Sequence, residues 1–151
     1  QGLRLHLERD PIVHVRAVAA QLSGYDAQRK EMLLTFCPDW HDDALFARIE
    51  RGEGLWCEPE VRRAAGLRHE RHGDTAEATK AYQRAIEVAR QRGAVAWELR
   101  AVLSQARLWT GAGREQEAAE LLDASIGRAP VDDANTTLNE ARSLRERLMR
   151  G

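Results

Sequence analysis

The stretch from Trp56 to Pro130 reads WCEPEVRRAAGLRHERHGDTAEATKAYQRAIEVARQRGAVAWELRAVLSQARLWTGAGREQEAAELLDASIGRAP. It holds two copies of one pattern of large, small and turn residues. Gly66, Gly73, Ala78, Tyr82 and Ala85 mark the first copy, and Ala106, Gly113, Ala118, Leu122, Ser125 and Pro130 the second. Each copy predicts two helices joined by a glycine turn. Small residues at matched places let two helices approach closely, which a bundle of large leucines throughout would not need. Ala78 and Ala118 are equivalent and stand forty residues apart.

The helical reading rests on spacing. A first helix runs from Glu58 to about His72, with Pro59 in the turn that tolerates it and Gly73 beyond its end. Asp74 is placed to cap the next helix, whose apolar stripe is Ala78, Ala81, Tyr82, Ala85, Ile86 and Ala89. Gly93 ends it. A third helix carries Leu99, Val102, Leu103, Ala106 and Trp109, with Gly111 and Gly113 forming the turn. A fourth carries Ala118, Leu121, Leu122, Ser125 and Ile126, and Pro130 stops it. A last helix, from about Asp133 to Met149, uses Leu138, Ala141, Leu144 and Leu148 and is placed to cover the open end.

Upstream the pattern loosens. Residues 2–9 alternate apolar and charged at Leu3, Leu5 and Leu7, the pattern of a strand or of the end of a helix, with helix favoured. Asp10-Pro11 starts a helix that reaches about Ser23, and a short one follows from Ala27 to Thr35. Cys37-Pro38-Asp39 breaks it. Asp42 or Asp43 then caps a helix with Leu45, Phe46 and Ile49, which Gly52 and Gly54 close. Residues 1–54 thus form an N-terminal helical segment whose last half is a degenerate hairpin or a packing cap, and residues 55–151 the repeats with their capping helix, in one continuous domain.

Composition narrows the class. Apolar residues make up 43% and charged residues 31% of 151, as expected of a soluble globular or solenoid protein, and the net charge of −1 offers no global field for nucleic acid or an anionic membrane. Two cysteines, Cys37 and Cys57, are too few for a disulfide-built scaffold and read as free thiols in a reducing cytoplasm. The sequence shows no signal peptide and no apolar run of membrane-spanning length. A start at Gln1 predicts a piece of a longer polypeptide.

The residue order resembles the tetratricopeptide (TPR) repeat, in which helical hairpins must stack to bury their apolar faces. The forty-residue spacing exceeds the usual period of about 34, which implies longer helices. More specifically, Trp56, Glu60-Val61, Arg63 and Gly66, then Gly73-Asp74 with Ala76-Glu77-Ala78, then Tyr82, Ala85-Ile86 and Ala89-Arg90 resemble the TPR-like region of large bacterial signalling regulators. The run Glu98-Leu99-Arg100-Ala101 with Ala106-Arg107-Leu108 and Gly113 continues it. Those regulators join an AAA-type ATPase to a nucleotide cyclase or to a winged-helix or LuxR-type DNA-binding domain. The likeness covers about residues 56–129. No nucleotide loop, cyclase aspartate or recognition helix is present, so the family's catalytic activities are not implied for this chain.

The resemblance implies an all-α, TPR-like stack of antiparallel helical hairpins with a C-terminal capping helix. It places Arg63, Glu70, Arg100 and Arg107 on the concave side, with Arg147 extending the row. Arginine holds carboxylates through two parallel bonds, so the expected partner is a protein, an acidic peptide, or another domain of the same polypeptide. Leu67 and Leu103 stand where a chaperone-type carboxylate clamp would need polar groups. The expected function is a noncatalytic interaction or sensor module of a signalling or transcriptional regulator, without cofactor, metal, direct nucleic-acid or membrane contact. Apolar stack ends permit self-association.

Other clusters carry weaker chemistry. Cys37, Asp39, His41, Asp42 and Asp43 lack the second Cys/His pair a zinc site needs. His69 and His72 are three apart, not four as in a zincin helix, and suit a helix C-terminus. Neither cysteine has a base in view. Tyr82 and Trp109 fall at core positions, Trp56 and Trp97 at hairpin junctions, and Trp40 at an exposed place. Two alternatives remain: a small-molecule pocket lined by Trp40 and Trp56, and a helical enzyme using His41 and Asp43.

Overall fold

The computed structural model describes residue 30 and residues 43–53, 56–129 and 136–150. Six helices account for most of them: α1 (Asp43–Glu50), α2 (Glu58–Arg71), α3 (Thr75–Gln91), α4 (Val95–Gly111), α5 (Glu115–Ile126) and α6 (Thr136–Leu148). No strand occurs among the described residues. The expected helices at 10–23 and 27–35, and Cys37, Trp40 and His41, lie outside the described residues.

One turn design ends the first four helices. After α2, Gly73 sits at φ +78°, in the left-handed region where a side chain is strained. Its N–H donates to Glu70 O at 3.0 Å, and the Asp74 N–H donates to His69 O at 2.9 Å. These two bonds satisfy carbonyls the helix leaves open, in the Schellman arrangement. The same pair recurs at Gly52, Gly93 and Gly113, all with positive φ. Asp74 then serves the next helix, accepting from the Glu77 N–H at 3.2 Å. Gly111, expected in a turn, is instead the last residue of α4, and Gly113 alone makes the reversal. Helix α5 ends at Ile126, before Pro130 could stop it, with Gly127 as its C-cap.

Each helix from α2 onward packs on the next, and α2 also meets α4, as α4 meets α6. Helix α1 packs on α2. The main core draws Ala85 and Ile86 from α3, Val102 and Ala106 from α4, Leu122 from α5 and Leu144 from α6. A second cluster joins Leu45 and Ile49 of α1 to Cys57, Val61 and Ala64. Ala78 and Ala118 are both completely buried, so the matched small residues do lie at helix contacts. Gly66 marks the tightest approach: a Cβ there would stand 2.4 Å from Cε1 of Tyr82. Full burial of a residue such as Leu122 contributes about 1.5–3 kcal/mol.

Candidate functional site

The expected row of charged residues begins inside the protein. Glu60, in the first turn of α2, is fully buried. Arg63, one turn on and itself buried, holds both carboxylate oxygens, with Nε 3.1 Å from Oε1 and 3.0 Å from Oε2. Arg100 of α4 reaches the same carboxylate, Nη2 to Oε1 at 2.9 Å. Arg63 Nη1 also donates to Ser104 Oγ at 3.3 Å, and that hydroxyl donates back to Arg100 O at 3.1 Å. The result is a buried ion network tying α2 to α4. Burial draws the Arg100 guanidinium below its ordinary value; Glu60 opposes that shift and neighbouring Arg63 reinforces it. Removing one member of such a network leaves an uncompensated charge, so the network holds the two helices in one relation.

A second buried carboxylate ties the next pair. Glu98, in the first turn of α4, accepts from Arg90 Nε of α3 at 2.9 Å and from Ser125 Oγ of α5 at 2.9 Å. Arg128 Nη2 donates to the same oxygen. Burial alone would raise the Glu98 carboxyl, but Arg128, Arg90 and Ser125 outweigh it and hold the group below the usual carboxylate range. Ser125 stands forty residues after Ala85, and its hydroxyl completes the Glu98 site.

The remaining residues of the row face solvent. Arg107 and Arg147 are exposed, and so is Glu70. Arg107 Nη2 lies 2.8 Å from Glu140 Oε2, joining α4 to α6 at the surface. Glu70 Oε2 accepts the Tyr82 hydroxyl at 2.7 Å; burial, and then Glu70 itself, push that phenol far above its ordinary value. Glu70 and Arg107 come together on one cleft of about 210 Å³, with Thr75, Leu108, Gly111 and Ala112. The five predicted residues therefore divide: Arg63 and Arg100 brace the helices from within, Glu70 and Arg107 border a cleft, and Arg147 lies on α6 two turns past Glu140.

Sequence reasoning missed Glu60, Glu98, Ser104, Glu140 and Arg128 as partners. For Glu60 the signal was its three-residue spacing to Arg63. The others pair across 27 to 41 residues and leave no local trace. Trp56 lies against Trp97, ring centroids 5.5 Å apart, as expected at a junction, yet 47% of its surface is exposed. A larger hollow of about 370 Å³ lies elsewhere, between α1, α2 and α3, lined by Phe46, Ile49, Arg62, His69 and Lys80 among others. Asp43 is exposed, 3.7 Å from Arg68. Among the described residues no group of three or more His, Cys, Asp or Glu is placed to hold a metal ion. Nor is any described helix long and apolar enough to cross a membrane.

Comparison with protein-family models, with curated proteins and with solved structures finds no match for this chain.

Proposed function

We propose that helices α2 to α5 form a TPR-like stack of antiparallel hairpins, with α6 as its C-terminal capping helix. Its function is noncatalytic: it docks a partner protein, or a neighbouring domain of the same polypeptide, on the face shared by α2, α4 and α6. The setting is a cytoplasmic bacterial signalling or transcriptional regulator, as the resemblance in residues 56–129 implies. The stacking reading is supported by the contact order, in which α2 meets α4 and α4 meets α6 while each also packs on the helix that follows it. It is supported too by the repeated turn at Gly73, Gly93 and Gly113. Residues 60 and 63 of α2 pair with 100 and 104 of α4 in the same order, as parallel first helices of successive hairpins would.

The observation that carries docking is the solvent-facing strip on these helices. Glu70, Arg107, Glu140 and Arg147 lie at the surface, while the buried Glu60 network beneath fixes the helices that bear them. A strip of charge on a rigid frame loses little order on binding, which favours recognition.

The test uses the whole chain as bait in lysate of the source cell, compared with a variant carrying Arg107→Glu and Arg147→Glu. These two are exposed, whereas Arg100→Glu would set a second carboxylate against Glu60 and disturb the fold. The wild type should retain a specific protein that the double variant, with unchanged circular dichroism, releases. Equal recovery of every retained protein by both would remove this face as the docking surface.

A further inference from the structure

The cleft between the last turns of α2 and α4 has a chemistry opposite to the one an arginine row suggests. We infer that it receives a basic side chain, arginine or lysine, from a segment of the docked partner, and that an acidic neighbour in that segment meets Arg107. This rests on the docking reading above and names the partner's chemistry.

Glu70 supplies a carboxylate on the cleft wall. One of its oxygens accepts the Tyr82 hydroxyl at 2.7 Å, which fixes the group in place. A carboxylate has about four lone-pair sites, so most of its accepting capacity is still open to a ligand. α2 and α4 end here while α3 begins here at Thr75, so the helix-end charges offset one another and the side chains set the sign of the cleft. The Thr75 hydroxyl adds a further acceptor, while Leu108 and Ala112 give an apolar wall for a methylene stem. The volume of about 210 Å³ falls below the roughly 300 Å³ of small-molecule pockets and suits one long side chain.

Arg107 on the same cleft decides the neighbour. Its guanidinium is paired with Glu140, so the rim alternates in sign: Glu70, Arg107, Glu140. A wholly acidic segment would meet two exposed carboxylates, and the buried Arg63 already serves Glu60. A segment of alternating sign meets an opposite charge at each step. Arginine fits better than lysine, since its planar fork can bond a fixed carboxylate through two N–H groups.

The probe is methylguanidinium chloride, titrated into the ¹⁵N-labelled whole chain and followed by amide shifts, with potassium chloride as the ionic-strength control. Ethylammonium chloride provides the lysine arm. Saturable shifts should cluster at residues 70–76 and 107–113. Glu70→Gln, which keeps an acceptor for Tyr82, should weaken methylguanidinium binding roughly tenfold, the loss expected for one charge-assisted bond. A labelled peptide of alternating Arg and Asp should bind more tightly than an all-Asp peptide of equal length, and lose that advantage in the same variant. Shifts scattered over many carboxylates, an unchanged Glu70→Gln, or preference for the all-Asp peptide would each overturn the inference. The docking reading fails separately, if the variant with Arg107→Glu and Arg147→Glu retains the wild-type partner.

Discussion

At the scale of single residues, the contact between Gly66 and Tyr82 sets how closely α2 and α3 can lie. The ring of Tyr82 covers the place where a Cβ at 66 would stand, with three ring atoms within 2.9 Å. The ring cannot retreat easily, because it is fully buried and its hydroxyl is held by Glu70. Gly66→Ala therefore forces a shift of backbone or ring. The helix-propensity gain of up to about 1 kcal/mol from replacing glycine works against this cost. Overpacking of a tight contact costs about 1–3 kcal/mol, so the net effect should be destabilising. Urea unfolding should show a lower midpoint with an unchanged slope. A midpoint equal to or above that of the wild type would mean that the two helices have room to separate.

Between elements, the decisive contacts are buried carboxylates rather than the apolar stripe alone. Glu98 gathers Arg90 of α3, Ser125 of α5 and Arg128 just beyond it around the first turn of α4. Its folded value is depressed below the ordinary 4.5. The unfolded chain binds the proton more readily, so stability from this group is complete above pH 4.5 and drains as pH falls below it toward the folded value. Glu98→Gln should lower stability at neutral pH and flatten the acid limb of a stability-against-pH curve. An acid limb as steep as the wild type's would assign the loss to other carboxylates. The same contact shows where sequence reading stops. Ala78 and Ala118 were legible as buried because a small residue recurring in phase on a helix has few other uses. Gly73 and Gly113 were legible as stops because little else tolerates a positive φ. Arg63 read as a surface cation, since its burial depends on Glu60 being buried beside it and on Ser104, forty-one residues away, receiving it. Such pairings are tertiary facts, and the helical period carries no sign of them.

For the whole molecule, the pattern of contacts makes α4 the hub. It packs closely on α2, α3, α5 and α6, while every other described helix has at most three such close neighbours. It also owns members of both buried ion networks, Arg100 and Ser104 in one and Glu98 in the other. Helix α6 rests on α4 and α5 through Leu138, Ala141 and Leu144, with Arg145 and Asp123 paired at 2.7 Å across an exposed edge. Exposed pairs of that kind contribute about 0–1 kcal/mol, so the apolar seat provides most of the attachment. Where helices are held mainly by contacts with their neighbours, an outer helix can open while the centre stays closed, and amide exchange then reports a gradient. The central amides of α4, around Val102 and Leu103, should exchange last, at the rate of global unfolding. Those of α6 should exchange earlier through local opening, with a weaker dependence on added urea. Truncating the seat by Leu144→Ala, at a cost of about 2–5 kcal/mol, should accelerate exchange in α6 strongly and in α4 much less. If α4 and α6 instead exchanged together, before and after that substitution, the two helices would open as one cooperative unit.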